Sequence, residues 1–323
     1  MQLPIDTTYR HFPRRTHGHR ELADNRYIAE YIAKEINHPL PAGQGKHTVN
    51  DGKTHTRDPR AKPDSQHQKW GPRLLVFSGL LALLTTSSAL AEEILVAVAS
   101  NFTAPMQEIA QEFEARSEHQ VKLAFGSSGK FFAQINHGAP YQAFFSADTE
   151  KPERLIKVGL AEAASRFTYA EGKLALWSAS AEVVDSKGRV LEKNQYRNLA
   201  IANPKLAPYG AAAMETLDNL KLLELSRPRW VQGENISQTY QFVASGNAEL
   251  GLVALSQIQH DGKLKSGSAW VVPENLYAPI RQDAVILDNG SDSAAMRDFW
   301  KFVQSDKAAR IIRAYGYNTP TAH

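Results

Sequence analysis

The chain contains no cysteine among its 323 residues. This absence excludes disulfides, thiolate zinc sites, iron–sulfur clusters and thiol nucleophiles, because each of them requires a cysteine sulfur. It is compatible with any cellular compartment. The length says little about the number of domains, since 323 residues are enough for two or three domains of about 100 to 200 residues each.

Excess charge is also missing from most of the chain. Residues 1–91 carry 13 Lys and Arg against 8 Asp and Glu, whereas residues 92–323 carry 24 against 26. The basic balance of the whole sequence therefore belongs to its N-terminal part. A nearly neutral body without a long Lys/Arg run lacks the positive surface typical of nucleic-acid-binding proteins, so we expect no nucleic-acid partner.

The strongly apolar run at residues 74–84 falls short of the 18 to 20 residues, roughly, that cross a bilayer. Positive residues precede it at Lys69–Arg73, and the small-residue segment Ala89-Leu90-Ala91 follows it. This order is typical of a secretory signal peptide over residues 69–91, cleaved before Glu92; a transmembrane anchor is the alternative. Because no cysteine follows the signal, we expect a free protein rather than a lipoprotein.

Residues 1–68 have little apolar periodicity and are rich in His, Arg, Pro, Asp and Asn, so they cannot bury a core. We expect either a disordered extension or sequence that an overextended gene start has added. An unusually long signal n-region is a further alternative, as is a metal-binding tail. The histidines of that tail would be His11, His17, His19 and His38, but they are scattered without ligand spacing.

From Glu92 onwards, strands and helices alternate. Apolar β-rich runs at 94–100, 121–125 and 143–147 are each followed by a segment with helical spacing. A second set begins with strands at 174–177 and 199–201, and later strands are predicted at 250–255, 270–272 and 283–287. The chain ends in helices around Met296–Val303 and Ala308–Tyr315. This alternation predicts an α/β protein with two lobes of about a hundred residues.

Polar turns follow three of these strands. They contain Ser100-Asn101, Ser127-Ser128, and the segment from Asn203 to Tyr209-Gly210. Ligands of open α/β sheets bind at the carboxyl ends of strands, where helix N-termini offer unpaired N–H groups and a positive dipole end. Each turn alone is most simply a helix N-cap. The three together favour an anion site.

The run Gly126–Lys130 invites two catalytic interpretations, and its spacing fits the sequence motif of neither. A phosphate-binding P-loop requires G-x-x-x-x-G-K-[ST], but the upstream glycine is missing and Phe131 follows the lysine. A serine-hydrolase elbow requires G-x-S-x-G, which is absent. His137 is predicted to lie at a helix C-terminus and Asp148 to cap a helix. We therefore expect no enzymatic activity.

An ordered set of motifs resembles the periplasmic molybdate-binding proteins of ABC transporters. The motifs are AVASNF at 97–102, FGSSG at 125–129, GAPY at 138–141 with FFSAD at 144–148, ANP at 202–204 with APYG at 207–210, GLVA at 251–254 and YGY at 315–317. The resemblance covers nearly all of residues 92–323. Singly each motif is weak, whereas the set in this order is specific.

The resemblance implies a periplasmic binding protein of type II, in which two α/β lobes with central mixed sheets are joined by a two-strand hinge. One lobe would comprise residues 92–172 and 277–323, and the other residues 173–276. The lobes would close on the anion, and the closed form would be recognised by a membrane permease. We expect a periplasmic monomer without a cofactor.

The resemblance also implies the ligand-binding residues. They are Ser100 and Asn101 in the first turn, Ser128 in the second, Tyr209 in the APYG turn and the backbone N–H of Ile236, with Ser127 as a further candidate. These groups would hold the molybdate oxyanion by its oxygens, without direct metal ligands. Many family members have a tyrosine donor where this chain has Ala254, and Asn101 and Tyr209 are candidates to replace that contact.

Hydroxyl and amide donors suit a fully deprotonated oxyanion, which offers only acceptor lone pairs. Discrimination against sulfate, which has the same charge, then depends on cavity size. Molybdate and tungstate are too similar for the sequence to separate. Three alternatives stay open. The first is a protein of the same fold for another ligand, such as sulfate, thiosulfate or a small organic anion. The second is a secreted hydrolase or transferase that uses Ser128 and would require a neighbouring base. The third is a structural or adhesive secreted protein.

Overall fold

The computed structural model describes residues 91–320. Its strands are β1 (Glu93–Ala99), β2 (Gln120–Gly126), β3 (Ala143–Phe145), β4 (Phe167–Gly172), β5 (Leu174–Ser178), β6 (Leu199–Ala202), β7 (Trp230–Gly233), β8 (Leu250–Ala254), β9 (Gln259–His260), β10 (Lys263–Leu264), β11 (Ser268–Val271) and β12 (Ile280–Ile286). Its α-helices are α1 (Thr103–Glu114), α2 (Ser128–Asn136), α3 (Glu150–Lys157), α4 (Val190–Lys193), α5 (Pro208–Asn219), α6 (Leu223–Ser226), α7 (Ile236–Ala244), α8 (Leu255–Ile258), α9 (Ala294–Val303) and α10 (Asp306–Ala314).

The first lobe is built on a five-stranded sheet in the order β2-β1-β3-β12-β4. Strands β1, β2 and β3 are parallel, and β12 runs antiparallel to both β3 and β4. The strands β1 and β3 are almost completely buried, because helices cover both faces of the sheet. Phe145, Phe299 and Trp300 pack edge-on or tilted in the core on one face.

The second lobe is built on a sheet in the order β11-β5-β8-β6-β7. Strands β6, β7 and β8 are parallel, whereas β5 is antiparallel to β8 and β11. On one face, the Trp177 ring stacks on Tyr240 at 5.0 Å between centroids. The predicted fold class, two α/β lobes with central mixed sheets, is confirmed.

The chain passes between the two sheets at neighbouring points. Strand β4 ends at Gly172 and β5 begins at Leu174, while the return passage precedes β12. Ile280 of β12 pairs with Gly172 of β4, so the two connecting segments lie side by side. Two adjacent strands therefore form the junction between the lobes.

Several elements differ from the sequence predictions. Strand β12 begins at Ile280, whereas the sequence predicted a start at Asp283. The prediction was late because polar residues such as Gln282 and Asp283 interrupt the apolar pattern, although both of these side chains are buried. Strands β4 and β7 had no predicted counterpart. His137 is the C-cap of α2, and the Asp148 carboxylate accepts a bond from the Lys151 backbone N–H in the first turn of α3.

The predictions for residues 1–68 and for the signal peptide up to Leu90 lie outside the described residues. Within residues 91–320, no helix is both long enough and apolar enough to cross a membrane. Glu92, which precedes β1, is tethered to the start of α9. The Glu92 carboxylate accepts hydrogen bonds from the Ser293 hydroxyl at 2.7 Å and from the Ala295 N–H at 3.3 Å. These bonds hold the pKa of Glu92 below its ordinary value.

Ser293 provides a test of this tether. Its side chain caps α9 by accepting a bond from the Met296 N–H at 3.1 Å, besides donating to Glu92. We expect Ser293→Ala to lower the free energy of unfolding by about 1 kcal/mol, the usual cost of losing a helix N-cap. Urea denaturation measures this change. Ser245→Ala, at the exposed C-cap of α7, is the control, and equal stability losses in the two variants would contradict the N-capping role of Ser293.

Candidate functional site

A small cavity lies between the two lobes at the carboxyl ends of several strands. Its lining combines turns from both lobes and consists of Ala99, Ser100, Asn101, Gly126, Ser127, Ser128, Ala147, Ala207, Pro208, Tyr209, Asn235 and Ile236. The cavity volume that is open to water is about 10 Å³. Pockets for organic ligands usually measure roughly 300 to 1,000 Å³, so the cavity suits a compact ligand of few atoms.

Four helical segments begin at this cavity. They are the 3-10 turn at Ser100–Phe102 that leads into α1, and the helices α2, α5 and α7. The first N–H groups of a helix have no partner within it, and the helix dipole makes this end positive. None of the described residues that line the cavity has a charged side chain. The site therefore offers an anion oriented dipoles rather than a counter-charge.

Ser127 and Ser128 have different roles at the start of α2. Ser127 is the N-cap, and its Oγ accepts from the Lys130 N–H at 3.3 Å. Ser128 Oγ accepts a bond from the backbone N–H of Ala147 at 2.9 Å. Because a hydroxyl oxygen that accepts a bond keeps its own proton, Ser128 can donate that proton into the cavity.

The backbone of Asn101 belongs to the 3-10 turn at the cavity, while its side chain is bonded to residues behind the lining. Its Nδ2 donates to Gln282 Oε1 at 2.7 Å and to the Tyr317 hydroxyl at 2.9 Å. The backbone carbonyl of Asn101 accepts hydrogen bonds from the Ser256 hydroxyl and from the Tyr317 hydroxyl. With the amide protons and carbonyl bonded in this way, the backbone of the turn is held in place.

Tyr209 and Ile236 come from the second lobe. The Tyr209 hydroxyl accepts from Gln282 Nε2 at 3.3 Å, and burial raises the pKa of Tyr209 well above its ordinary value, so the group stays a donor. Ile236 is the first residue of α7, whose N-cap Asn235 accepts from the Gln238 N–H at 3.0 Å. The N–H of Ile236 belongs to the first turn, where helices have no internal acceptor.

Hydrogen bonds between the lobes keep the cleft shut around the cavity. The Gly129 N–H donates to the Leu206 carbonyl at 2.9 Å, and Ser237 Oγ donates to the Ser100 carbonyl at 3.0 Å. An ion pair lies at the rim, where Lys130 Nζ is 2.6 Å from Glu234 Oε1. The described structure is therefore a closed form.

All six residues that the sequence singled out lie together in the cavity lining. The sequence did not single out Asn235 or the backbone of Ala147, and it missed the buried Gln282 behind the lining. Tyr317, which also stands behind the lining, had a signal in the YGY motif. Ala254 is buried at the N-terminus of α8, outside the lining, and offers no side-chain donor.

A serine-hydrolase centre is not assembled here. The partner of Ser128 Oγ is the N–H of Ala147, which is a donor, whereas a nucleophile requires a base that accepts its proton. No histidine or lysine is among the described lining residues. The lysine closest in sequence, Lys130, directs its ammonium group to Glu234.

Comparison with known proteins places the chain among transport proteins. The family model for bacterial extracellular solute-binding proteins matches residues 94–318. The molybdate-binding protein ModA of Azotobacter vinelandii is 53% identical over 245 residues, which are 76% of this chain and 96% of the relative. The corresponding protein of Rhodobacter capsulatus is 48% identical over 231 residues, covering 72% of this chain and 90% of the relative.

Solved structures agree with these sequence relationships. The periplasmic molybdate-binding protein of Azotobacter vinelandii superimposes with a TM-score of 0.68 at 43% identity, covering 71% of this chain and all of that chain. The sulfate-binding protein SubI of Mycobacterium tuberculosis H37Rv has a TM-score of 0.56 at 13% identity, covering 72% and 88%. This second likeness concerns the fold alone.

The packing of Tyr209 against the junction between the lobes yields a prediction. A Cβ atom at Gly172 would lie 2.0 Å from the Tyr209 hydroxyl oxygen and 2.6 Å from Gln282 Nε2. We expect Gly172→Ala to cost about 1 to 3 kcal/mol of stability, because the buried groups must shift. In a Tyr209→Phe background the cost should be smaller by at least about 0.5 kcal/mol, since the hydroxyl is absent. Denaturant unfolding of the four proteins tests this, and additive effects would contradict it.

Proposed function

The chain belongs to the bacterial extracellular solute-binding protein family, in its molybdate-binding branch, and we propose that it captures molybdate or tungstate and delivers the anion to an ABC transporter. Such proteins are transport components without enzymatic activity. The observation that carries the proposal is the cavity at which four helical segments begin. It presents N–H and O–H donors in a space too small for most organic ligands.

The donor set fits a fully deprotonated oxyanion, which has lone pairs and no proton to give. The proposed ligands are the hydroxyls of Ser100, Ser128 and Tyr209 and the backbone N–H groups of Asn101 and Ile236, with Ser127 as an additional hydroxyl. Protonated phosphate would require an acceptor, yet the Asn235 side-chain oxygen already accepts from Gln238. Sulfate has the same charge as molybdate, so the size of the cavity must discriminate against it.

Capture and release follow from closure of the two lobes. In the open form the donors of each lobe would face water, and the anion would be bound first by one set of helix starts. Closure would then add the second set, together with the rim contacts Gly129–Leu206 and Lys130–Glu234. The anion thereby shifts the equilibrium to the closed form, which the permease recognises, and no covalent step or cofactor takes part.

The division of strands between the two sheets supports lobe bounds of residues 92–172 with 277–323, and of residues 173–276. We further propose that the protein is a periplasmic monomer, released by cleavage before Glu92. The bonds that Glu92 makes with Ser293 and Ala295 support this position, because they make Glu92 part of the packed first lobe.

Calorimetric titration with molybdate, tungstate, sulfate and phosphate at neutral pH and moderate salt tests the proposal. We expect one-to-one binding of molybdate and tungstate and no heat from phosphate, because protonated phosphate requires an acceptor and the Asn235 side-chain oxygen already accepts from Gln238. Sulfate should bind much more weakly, since misfitting oxygens leave donors unpaired at about 1 to 3 kcal/mol each. Preferential binding of sulfate would assign the site to the alternative anion, and silence from all four would overturn the oxyanion function.

The assignment of Ser128 is tested by substitution. Ser128→Ala removes one donor to a charged ligand, which costs about 1.5 to 3 kcal/mol, or roughly a tenfold to hundredfold loss of affinity. Tyr209→Phe should have a similar effect for the same reason. Ser226→Ala is the matched control, because Ser226 is equally buried and bonded to Trp230 and Leu223 away from the cavity. Unchanged affinity in both site variants would overturn the site.

A further inference from the structure

Behind the cavity lies a network of buried polar side chains that belongs to both lobes. Its members are Asn101, Tyr169, Tyr209, Ser256, Gln282 and Tyr317. Tyr209 and Ser256 come from the second lobe and the others from the first. All six side chains are 4% exposed or less, so water cannot replace a lost partner. Only Asn101 and Tyr209 also line the cavity.

Gln282 connects these two cavity residues through one amide group. Its Oε1 accepts from Asn101 Nδ2 at 2.7 Å and faces the Tyr169 hydroxyl at 3.0 Å. Its Nε2 donates to the Tyr209 hydroxyl at 3.3 Å. These donors fix the orientation of the amide, because a flipped amide would direct its NH2 group at the NH2 group of Asn101.

The backbone is shaped to bring Gln282 to this place. The register between β12 and β4 shifts between Gln282 and Asp283, which leaves Tyr169 without an opposite residue. Bulges of this kind redirect side chains and are frequent beside functional sites. Here two consecutive buried residues have different partners. Asp283 bonds to Arg166 and Thr168, while Gln282 bonds to the network.

We propose that Gln282 is a positioning residue of the anion site, which orients the Tyr209 hydroxyl and the Asn101 turn without contacting the anion. This inference rests on the proposed function. The amide N–H bonds to the oxygen of Tyr209, so the tyrosine proton is left for another acceptor. In this structure that acceptor is the Tyr317 hydroxyl, and in the loaded site it would be an oxygen of the anion. The carbonyl oxygen of Gln282 holds Asn101, whose backbone N–H points to the same anion.

The surroundings of Gln282 keep the network neutral near neutral pH. The hydroxyls of Tyr169, Tyr209 and Tyr317 face it, and burial raises the pKa of all three, that of Tyr317 to about 12. The carboxylates of Asp148 and Asp283 also act on Tyr169, but Asp283 is paired with Arg166 and Asp148 with Lys151. No described group in contact with Gln282 changes its charge between about pH 6 and about pH 9.

Gln282→Met removes the hydrogen bonds of Gln282 with Asn101, Tyr169 and Tyr209 at similar side-chain volume. We expect the Kd for molybdate, measured by calorimetry on the full-length chain, to rise at least tenfold, because Tyr209 and Asn101 lose their common partner. Thr216→Val is the control for a buried polar group on α5, the helix that carries Tyr209. Its hydroxyl bonds only to the Ala212 carbonyl in the same helix, so its Kd should match that of the wild type.

Gln282→Glu separates positioning from a structural role. A protonated glutamic acid still offers one acceptor and one donor, whereas the ionised form accepts only and would draw the Tyr209 proton away from the anion. Buried glutamates can titrate near pH 8 to 9, roughly. We expect molybdate binding close to that of the wild type at about pH 6 and at least tenfold weaker at about pH 9, while the wild-type Kd stays constant.

The outcomes are distinct. If the wild type does not bind molybdate, the proposed function fails before the variants are considered. If the wild type binds and Gln282→Met binds within threefold of it, the positioning role is overturned. A Gln282→Glu variant whose Kd relative to the wild type is constant with pH also overturns it. Should Gln282→Met fail to fold, the pH series of Gln282→Glu decides alone.

Discussion

Unpaired N–H groups at helix starts are the constraint on which this structure depends. Each helix leaves its first backbone donors without internal partners, and burying such donors without an acceptor is costly. Here four helical segments begin at one enclosed cavity, so the fold gathers these donors from both lobes at a single point. We therefore expect an acceptor-rich ligand at that point to stabilise the closed form, so that anion binding and lobe closure are coupled.

Because the helix starts supply the donors, the cavity needs no counter-charge, and none of the lining residues within 91–320 has a charged side chain. A lysine or arginine in the site would attract many anions, whereas fixed N–H and O–H donors require an oxygen at each donor position. Selectivity then depends on geometry, which explains why groups outside the cavity matter. The amide of Gln282 and the hydroxyl of Tyr317 hold Asn101 in place, and the missing side chain of Gly172 leaves room for the Tyr209 hydroxyl.

The sequence predicted most of the architecture, because the relevant signals are local. Apolar runs marked β1, β2 and β6, and helical spacing marked α1, α7 and α9. The predictions were less accurate where polar residues are buried. Strand β12 starts three residues earlier than predicted, since its buried Gln282 and Asp283 look like surface residues in sequence. Their partners Tyr209, Arg166 and Thr168 are far away in the chain, so no local sequence pattern predicts these hydrogen bonds.

The sequence by itself determined the two-lobed α/β class, the lack of thiol chemistry and the polar turns that follow the strands. Those features depend on residue type and on spacing of a few residues. Only the tertiary structure decided that Ser100, Ser128, Tyr209 and Ile236 surround one cavity, and that the Asn101 side chain points away from it. It alone also revealed Gln282 behind the site. The reason is physical: the direction of a hydrogen bond between residues more than a hundred positions apart is set by packing, which sequence spacing does not encode.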